Sequence, residues 1–184
     1  MTATEILREE HRVIERVLRA LETAARRVEE GAAVRPGFFL DAAEFIRGFA
    51  DGCHHRKEEG VLFPAMIASG MPREGGPVGR MLEEHEQGRA YTRAMREAAE
   101  RWQAGDPSAR AAVVGSALGY ITLLRQHIAK ENDILFVMAG RIVPAARQAE
   151  VAADFERVEE EETGHGVHEK YHRLAEALEK EVSP

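Results

Sequence analysis

HIAKENDILFVM, residues 127–138, repeats HHRKEEGVLFPA, residues 54–65, without a gap. His127 falls on His54, Lys130 on Lys57, Glu131 on Glu58, Leu135 on Leu62 and Phe136 on Phe63, at an offset of 73 residues. Glu9-Glu10-His11 falls likewise on Glu83-Glu84-His85, at an offset of 74. The chain is therefore two helical hairpins of similar design, with Glu-Glu-His on the first helix of each and His-x-x-x-Glu on the second.

The repeat sets the register of the functional face. Opposite His55 and Glu59 the second half has Ile128 and Asn132, whereas His54 and Glu58 meet their own kind. The expected functional pair is His54 with Glu58, and His55 and Glu59 are expected beside it, towards solvent. Residues four apart on a helix stack on one face, so each His-x-x-x-Glu can reach one ion or two adjacent ions. His11 and His85 lie on the apolar stripes of the other two helices. Four imidazoles and two carboxylates are thus aimed into one core. A single buried histidine is more often a hydrogen-bonded core residue than a ligand, and a lone His-x-x-x-Glu is commonplace. Six such residues repeated in register are different, because burying two unpaired carboxylates costs several kcal/mol. Metal ions would hold them there.

Outward from the repeat the pattern is helical almost throughout. Residues 3–30 carry Leu7, His11, Ile14, Leu18, Leu21 and Ala25 as one apolar stripe, and Thr2 with Glu5 predicts a capping box. A second helix over about 38–69 has Phe38, Phe39, Phe45, Ile46 and Phe49 before the repeat, and Pro64 should kink or end it. A third, about 78–103, presents Val78, Met81, His85, Gly88, Thr92, Met95 and Ala99. Asp106-Pro107 suits the start of a fourth, about 107–140, with Val113, Ala117, Tyr120, Leu124, His127, Glu131, Ile134 and Met138 on one face. A last segment, about 145–181, should break at Gly164-His165-Gly166. The predicted fold is all-α: an up-down-up-down four-helix bundle over residues 1–142, with an additional C-terminal helical extension over 143–184 packed on it.

Composition narrows the function. The 184 residues suit one domain of ordinary soluble balance, 44% hydrophobic and 31% charged. A net charge of -7 argues against a broad nucleic-acid surface. One cysteine argues against a disulfide framework. The charged N-terminal stretch and the lack of a ~20-residue apolar run predict neither signal peptide nor membrane span, and a cytoplasmic location.

The donor set also narrows the metal. No cysteine falls in the constellation, and six ligands exceed the needs of one tetrahedral zinc. Imidazole-rich ligation suits iron, copper, nickel or zinc better than magnesium or calcium. The ferritin-like di-iron site needs Glu-x-x-His on two helices, and here the spacing occurs only in the last segment, at Glu162-Thr163-Gly164-His165 and Glu169-Lys170-Tyr171-His172.

His11, His54-x-x-x-Glu58, His85 and His127-x-x-x-Glu131, with the Leu62-Phe63-Pro64 and Leu135-Phe136 tails, resemble the hemerythrin-like (HHE cation-binding) domain over residues 3–140. The resemblance implies a non-heme centre of two iron ions, oxo- or hydroxo-bridged. Glu58 and Glu131 would bridge, with His11, His54, His85 and His127 terminal, two per iron. The oxygen-carrying hemerythrins have a fifth histidine four residues after the third-helix ligand, where this chain has Arg89. That departure points away from simple reversible oxygen carriage. It points towards branches that handle peroxide or nitric oxide, or supply iron for iron-sulfur cluster repair.

Some residues lie near this set. Tyr120, two turns before His127, reads first as a core tyrosine and second as a donor behind the ligands. Gly88 leaves space one turn from His85 for a small ligand. Lys57 and Lys130 repeat but fall one step off the ligand face, where solvation is expected. His168-x-x-x-His172 has metal spacing but flanks the stripe of Val167, Tyr171, Leu174 and Leu178, so both should face solvent unless the glycine break tips one over the site. Cys53 reads as a small buried apolar residue.

Three function classes follow. The first is a di-iron protein binding or reducing peroxide, O2 or NO in oxidative or nitrosative stress defence, served by a redox partner. The second is an oxygen or iron sensor, or an iron donor. The third is a structural zinc or metal-free bundle.

Overall fold

The computed structural model describes residues 1–164 and 166–183, the side chains of 161–163 excepted. Every regular element among the described residues is a helix. α1 is Ala3–Glu29, α2 spans 36–68, α3 is Pro77–Gln103, α4 spans 110–142, α5 spans 145–163 and α6 is Val167–Val182.

The helix starts follow their sequence signals. The Thr2 amide donates to Glu5 Oε2 at 2.7 Å and the Glu5 amide donates to Thr2 Oγ1 at 3.3 Å, closing the capping box. Asp106 Oδ1 accepts from the Ser108 amide at 3.0 Å and starts a short 3-10 turn, Pro107–Ala109, that leads into α4. Gly164 and Gly166, at φ 93° and 78°, make the break between α5 and α6. His165, and with it the Glu162-to-His165 motif, lies outside the described residues.

α2 and α4 are not uniform. π-helical turns, bonded i→i+5, occupy Ile46–His55 and Glu58–Leu62 in α2 and Glu131–Leu135 in α4. Glu58–Leu62 and Glu131–Leu135 sit at the same offset as the sequence repeat, so the repeat extends to the backbone. α2 runs through Pro64 to Ala68, within the expected range, because the wider turn before the proline relieves its clash with the preceding turn. One expectation changes here. Ile134 is 53% exposed rather than on the core face. The π turn adds a residue to the cycle, and Leu135 takes the core place instead.

The apolar core has two parts. One gathers Ile14, Leu18, Phe45, Phe49, Met95, Leu124 and Ile128, and the other Leu7, Leu62, Phe63, Met81, Leu135 and Phe136. On α1, α2 and α4 the polar repeat residues fall between these parts, so a buried polar belt crosses the helices. α6 lies against α1 and α2. Tyr171 Oη donates to Glu44 Oε1 at 3.0 Å, and Arg16 pairs with Glu179. Gly48 permits that approach, since a Cβ there would stand 1.8 Å from Tyr171 Oη. No helix among the described residues is long and apolar enough to cross a membrane.

Candidate metal centre

The polar belt brings together His11 from α1, His54 and Glu58 from α2, His85 from α3, and His127 and Glu131 from α4. All six are buried. Their donor atoms form two groups, each with every atom within 4.8 Å of the others. One is His11, His54, Glu58 and Glu131. The other is His55, Glu58, His85 and His127. Glu58 belongs to both. Glu131 also spans them, with Oε2 3.1 Å from His11 Nε2 and Oε1 3.1 Å from His127 Nε2.

His55 is a correction to the sequence reading. It is 3% exposed rather than solvent-facing, and its ring stacks on that of His85 at 3.8 Å. The π-helical stretch Ile46–His55 is the cause. Adding a residue to the turn narrows the angle between successive side chains, so His54 and His55 border one volume. α4 has no such stretch before His127, and Ile128 packs in the apolar core.

Each of the five imidazoles is tied on its outer nitrogen. Nδ1 donates to an oxygen acceptor in every case: His11 to Asn132 Oδ1 at 3.0 Å, His54 to Glu10 Oε2 at 2.9 Å, His55 to Asp51 Oδ1 at 2.8 Å, His85 to Glu59 Oε1 at 2.7 Å and His127 to Glu84 Oε2 at 3.0 Å. Carboxylates only accept, so the proton sits on Nδ1 and the Nε2 lone pair is left for the centre. These acceptors repeat as the ligands do. Glu10 matches Glu84, and Glu59 matches Asn132, which does the same work with a different side chain. Glu59 is thereby also corrected: it is a half-exposed partner of His85, not a bystander.

The lysines are a further correction. Lys57 is fully buried and ion-pairs with Glu10 and Glu159, and Lys130, 36% exposed, pairs with Glu84. The phenylalanines of the repeat cap the rings. Phe136 lies parallel to His11 at 5.5 Å and Phe63 to His85 at 6.0 Å.

The residues fit metal ions. His54 Nε2, both Glu58 oxygens and Glu131 Oε1 are buried without a hydrogen-bond partner, a costly arrangement without a cation among them. His85 Nε2 and His127 Nε2 stand 3.1 Å apart. Two lone pairs at that distance repel unless a proton or a cation is shared. Without a metal, protons take that role. Burial pulls His127 down, but Glu131 and Glu84 outweigh it and hold His127 up at about 10. Burial raises Glu131, but His127 and His11 outweigh it and hold Glu131 well below the usual carboxylate range. His55 is pushed well below the usual imidazole range by burial and by the neighbouring His85, so it offers a neutral ring.

The remaining candidates lie outside this ring of donors. Tyr120 is buried with its hydroxyl unpartnered, and its ring covers Gly88, where a Cβ would meet Tyr120 Cε2 at 3.5 Å. His168 is 41% exposed, with Nε2 3.8 Å from Glu10 Oε1. His172 is half-buried with its ring 4.6 Å from that of His168. Both histidines sit behind His54 rather than at the centre. Cys53 is buried, and burial and then Glu10 push its thiol up to about 12. A surface groove of about 860 Å3, lined in part by Asp51, Glu59 and Arg89, opens on the outer side of His55 and His85.

The pattern of the family described as hemerythrin HHE cation binding domain matches residues 2–139. Among curated proteins, the chain is 27% identical over 164 residues to uncharacterized proteins of Mycobacterium tuberculosis and Mycobacterium bovis. The match covers 89% of this chain and 64% of each relative, so the chain spans less than two thirds of their length. No solved structure matches the chain.

Proposed function

Because the chain belongs to the hemerythrin HHE cation-binding family, we propose that it is a non-heme di-iron protein that binds or reduces a small ligand, namely peroxide, O2 or NO, in oxidative or nitrosative stress defence. The observation that carries this reading is the convergence of five Nε2-inward imidazoles on two shared carboxylates, three of whose four oxygens have no hydrogen-bond partner. The proposed architecture is an up-down-up-down bundle over residues 1–142, with the C-terminal extension over 143–184 laid on it.

In this reading Glu58 and Glu131 bridge. His11 and His54 serve one metal position, and His55, His85 and His127 the other. Two irons bound there would supply redox chemistry towards the small ligand. The chain's own residues do the rest. Glu10, Asp51, Glu59, Glu84 and Asn132 hold the Nδ1 protons and so fix tautomer and ring orientation. Phe63 and Phe136 keep water from the outer imidazole faces. The two-imidazole position has fewer protein donors and leaves more room for an incoming ligand.

Reversible O2 binding is the second reading, and His55 favours it. Four histidines alone would speak against oxygen carriage, and His55 supplies a fifth imidazole at the centre. Arg89, in the place of the carriers' histidine, instead donates to Glu59 at 2.6 Å.

The test is metal analysis of protein from iron-supplemented cells, followed by peroxide, NO and O2 assays. Two irons per chain with turnover of peroxide or NO is expected. Oxygen released intact on lowering its pressure, without turnover, would select carriage. Stoichiometric zinc in place of iron, or full iron and turnover in Glu58→Ala and Glu131→Ala, would overturn the reading.

A further inference from the structure

The two halves of the centre match closely in their inner and outer partners, but one half has an added layer. In the second half the chain of contacts is Lys130 to Glu84 to His127. Lys130 is 36% exposed, and Arg80 Nε also donates to Glu84 at 2.8 Å. In the first half the matching chain is Lys57 to Glu10 to His54, and here Lys57 is fully buried. What buries it comes from beyond the family-matched residues 2–139. Glu159 of α5 takes the same ammonium as Glu10, Phe155 lies 5.9 Å from it, and His168 of α6 stands 3.8 Å from Glu10 Oε1.

We propose that the C-terminal segment is an outer part of the metal centre, in which Glu159 acts as a positioning residue for His54 and strengthens metal binding at the His11–His54 position alone. The inference rests on the di-metal reading above. The argument is one of competition. Lys57 divides its charge between two carboxylates. With Glu159 present, Glu10 Oε1 faces the ammonium while Oε2 is free to accept from His54 Nδ1. Without Glu159, the whole charge of a buried ammonium falls on Glu10, away from water and so at undiminished strength. Glu10 is then drawn from His54, whose ring loses both its fixed orientation and part of its basicity. Partners of this kind are worth 10- to 100-fold in metal affinity. Glu159 acts one contact further out, so about tenfold is expected. Among the described residues, no hydrogen bond or ion pair from the C-terminal segment reaches Lys130 or Glu84, so the other position should be indifferent.

The experiment is anaerobic titration of the full chain with ferrous ion against a competing chelator, with Mössbauer spectra of the 57Fe-loaded protein. Wild type should show two binding steps and two iron environments. Glu159→Gln should weaken one step about tenfold and alter one environment, and Glu159→Asp should restore part of the loss. Glu156→Gln removes a neighbouring exposed charge and should change neither. Lys130→Met should weaken the other step. In the metal-free chain, the His54 Nδ1 proton should exchange faster in Glu159→Gln, a readout independent of loading. Equal loss at both steps, or no change in either step and in exchange, would overturn the proposal while leaving the di-metal reading intact. Fewer than two irons bound by wild type would overturn the di-metal reading itself, and this inference with it.

Discussion

His55 and His85 stack face to face, with ring centroids 3.8 Å apart and an interplanar angle of 19°. The contact joins α2 to α3 at the heart of the centre, and it exists because α2 is π-helical up to His55. Replacing His55 therefore tests both the ligand set and the helix geometry. His55→Ala should lower affinity at the three-imidazole position by at least about tenfold while the two-imidazole position keeps its own. Chelator competition would read this, and unchanged affinity at both positions would return His55 to a packing role.

Metal should stabilise the fold, since its donors converge only in the folded chain. Ligand at 100 times its Kd contributes about 2.7 kcal/mol. Wild type should melt several degrees higher with ferrous ion than with chelator. In Glu58→Ala and Glu131→Ala the increment should vanish. A metal-dependent rise of equal size in either variant would show that the shared carboxylates are not ligands.

Without metal, stability should depend on pH in a defined direction. His127 is held up at about 10, against its ordinary 6.5. Its contribution is full below about 6.5 and is lost as pH rises through 10. Burial raises Glu84, but His127 and Lys130 outweigh it and hold Glu84 down at about 2, against its ordinary 4.5. Its contribution is full above about 4.5 and is lost as pH falls through 2. Through these two groups, chelator-treated protein should lose stability as pH rises from about 6.5 towards 10 and as it falls from about 4.5 towards 2. Metal loading at pH 7 should release protons, which an indicator dye would register. A melting temperature that climbs steadily from pH 6 to pH 9 would contradict the assignment.

Gly48 should tolerate no side chain cheaply. A Cβ there would overlap Tyr171 Oη, which holds Glu44. Gly48→Ala should cost about 1–3 kcal/mol and loosen α6. Thermal unfolding together with limited proteolysis would show it as earlier cleavage near the C-terminus. Wild-type resistance would mean that Tyr171 moves aside freely.

Much of this was legible in the chain. The apolar stripes located the helices within a few residues, and the repeat pointed to His11, His54, Glu58, His85, His127 and Glu131. His55 was not legible. Its orientation depends on a π-helical stretch that the periodicity of an ordinary helix does not anticipate, and comparison with Ile128 argued the wrong way. The outer partners left a trace that was misread. Lys57 and Lys130 repeat in register, but a lysine one step off a helix face looks solvated until Glu10 and Glu84 are seen to claim it. Glu59 and Asn132 differ in kind, so identity hid that both are oxygen acceptors for an imidazole. Glu159 left no trace, because it reaches Lys57 across 102 residues of chain.

The way the histidines are tied makes the two hairpins depend on each other. His54 and His127 are held within their own hairpins, by Glu10 and Glu84. His11 and His85 are held from the opposite hairpin, by Asn132 and Glu59. Neither hairpin can orient its full set alone. An exchange of this kind is what a symmetric pair of separate chains requires, each finishing the other's site. The two halves nonetheless differ, one with a glutamate where the other has an asparagine, and one with a histidine where the other has an isoleucine.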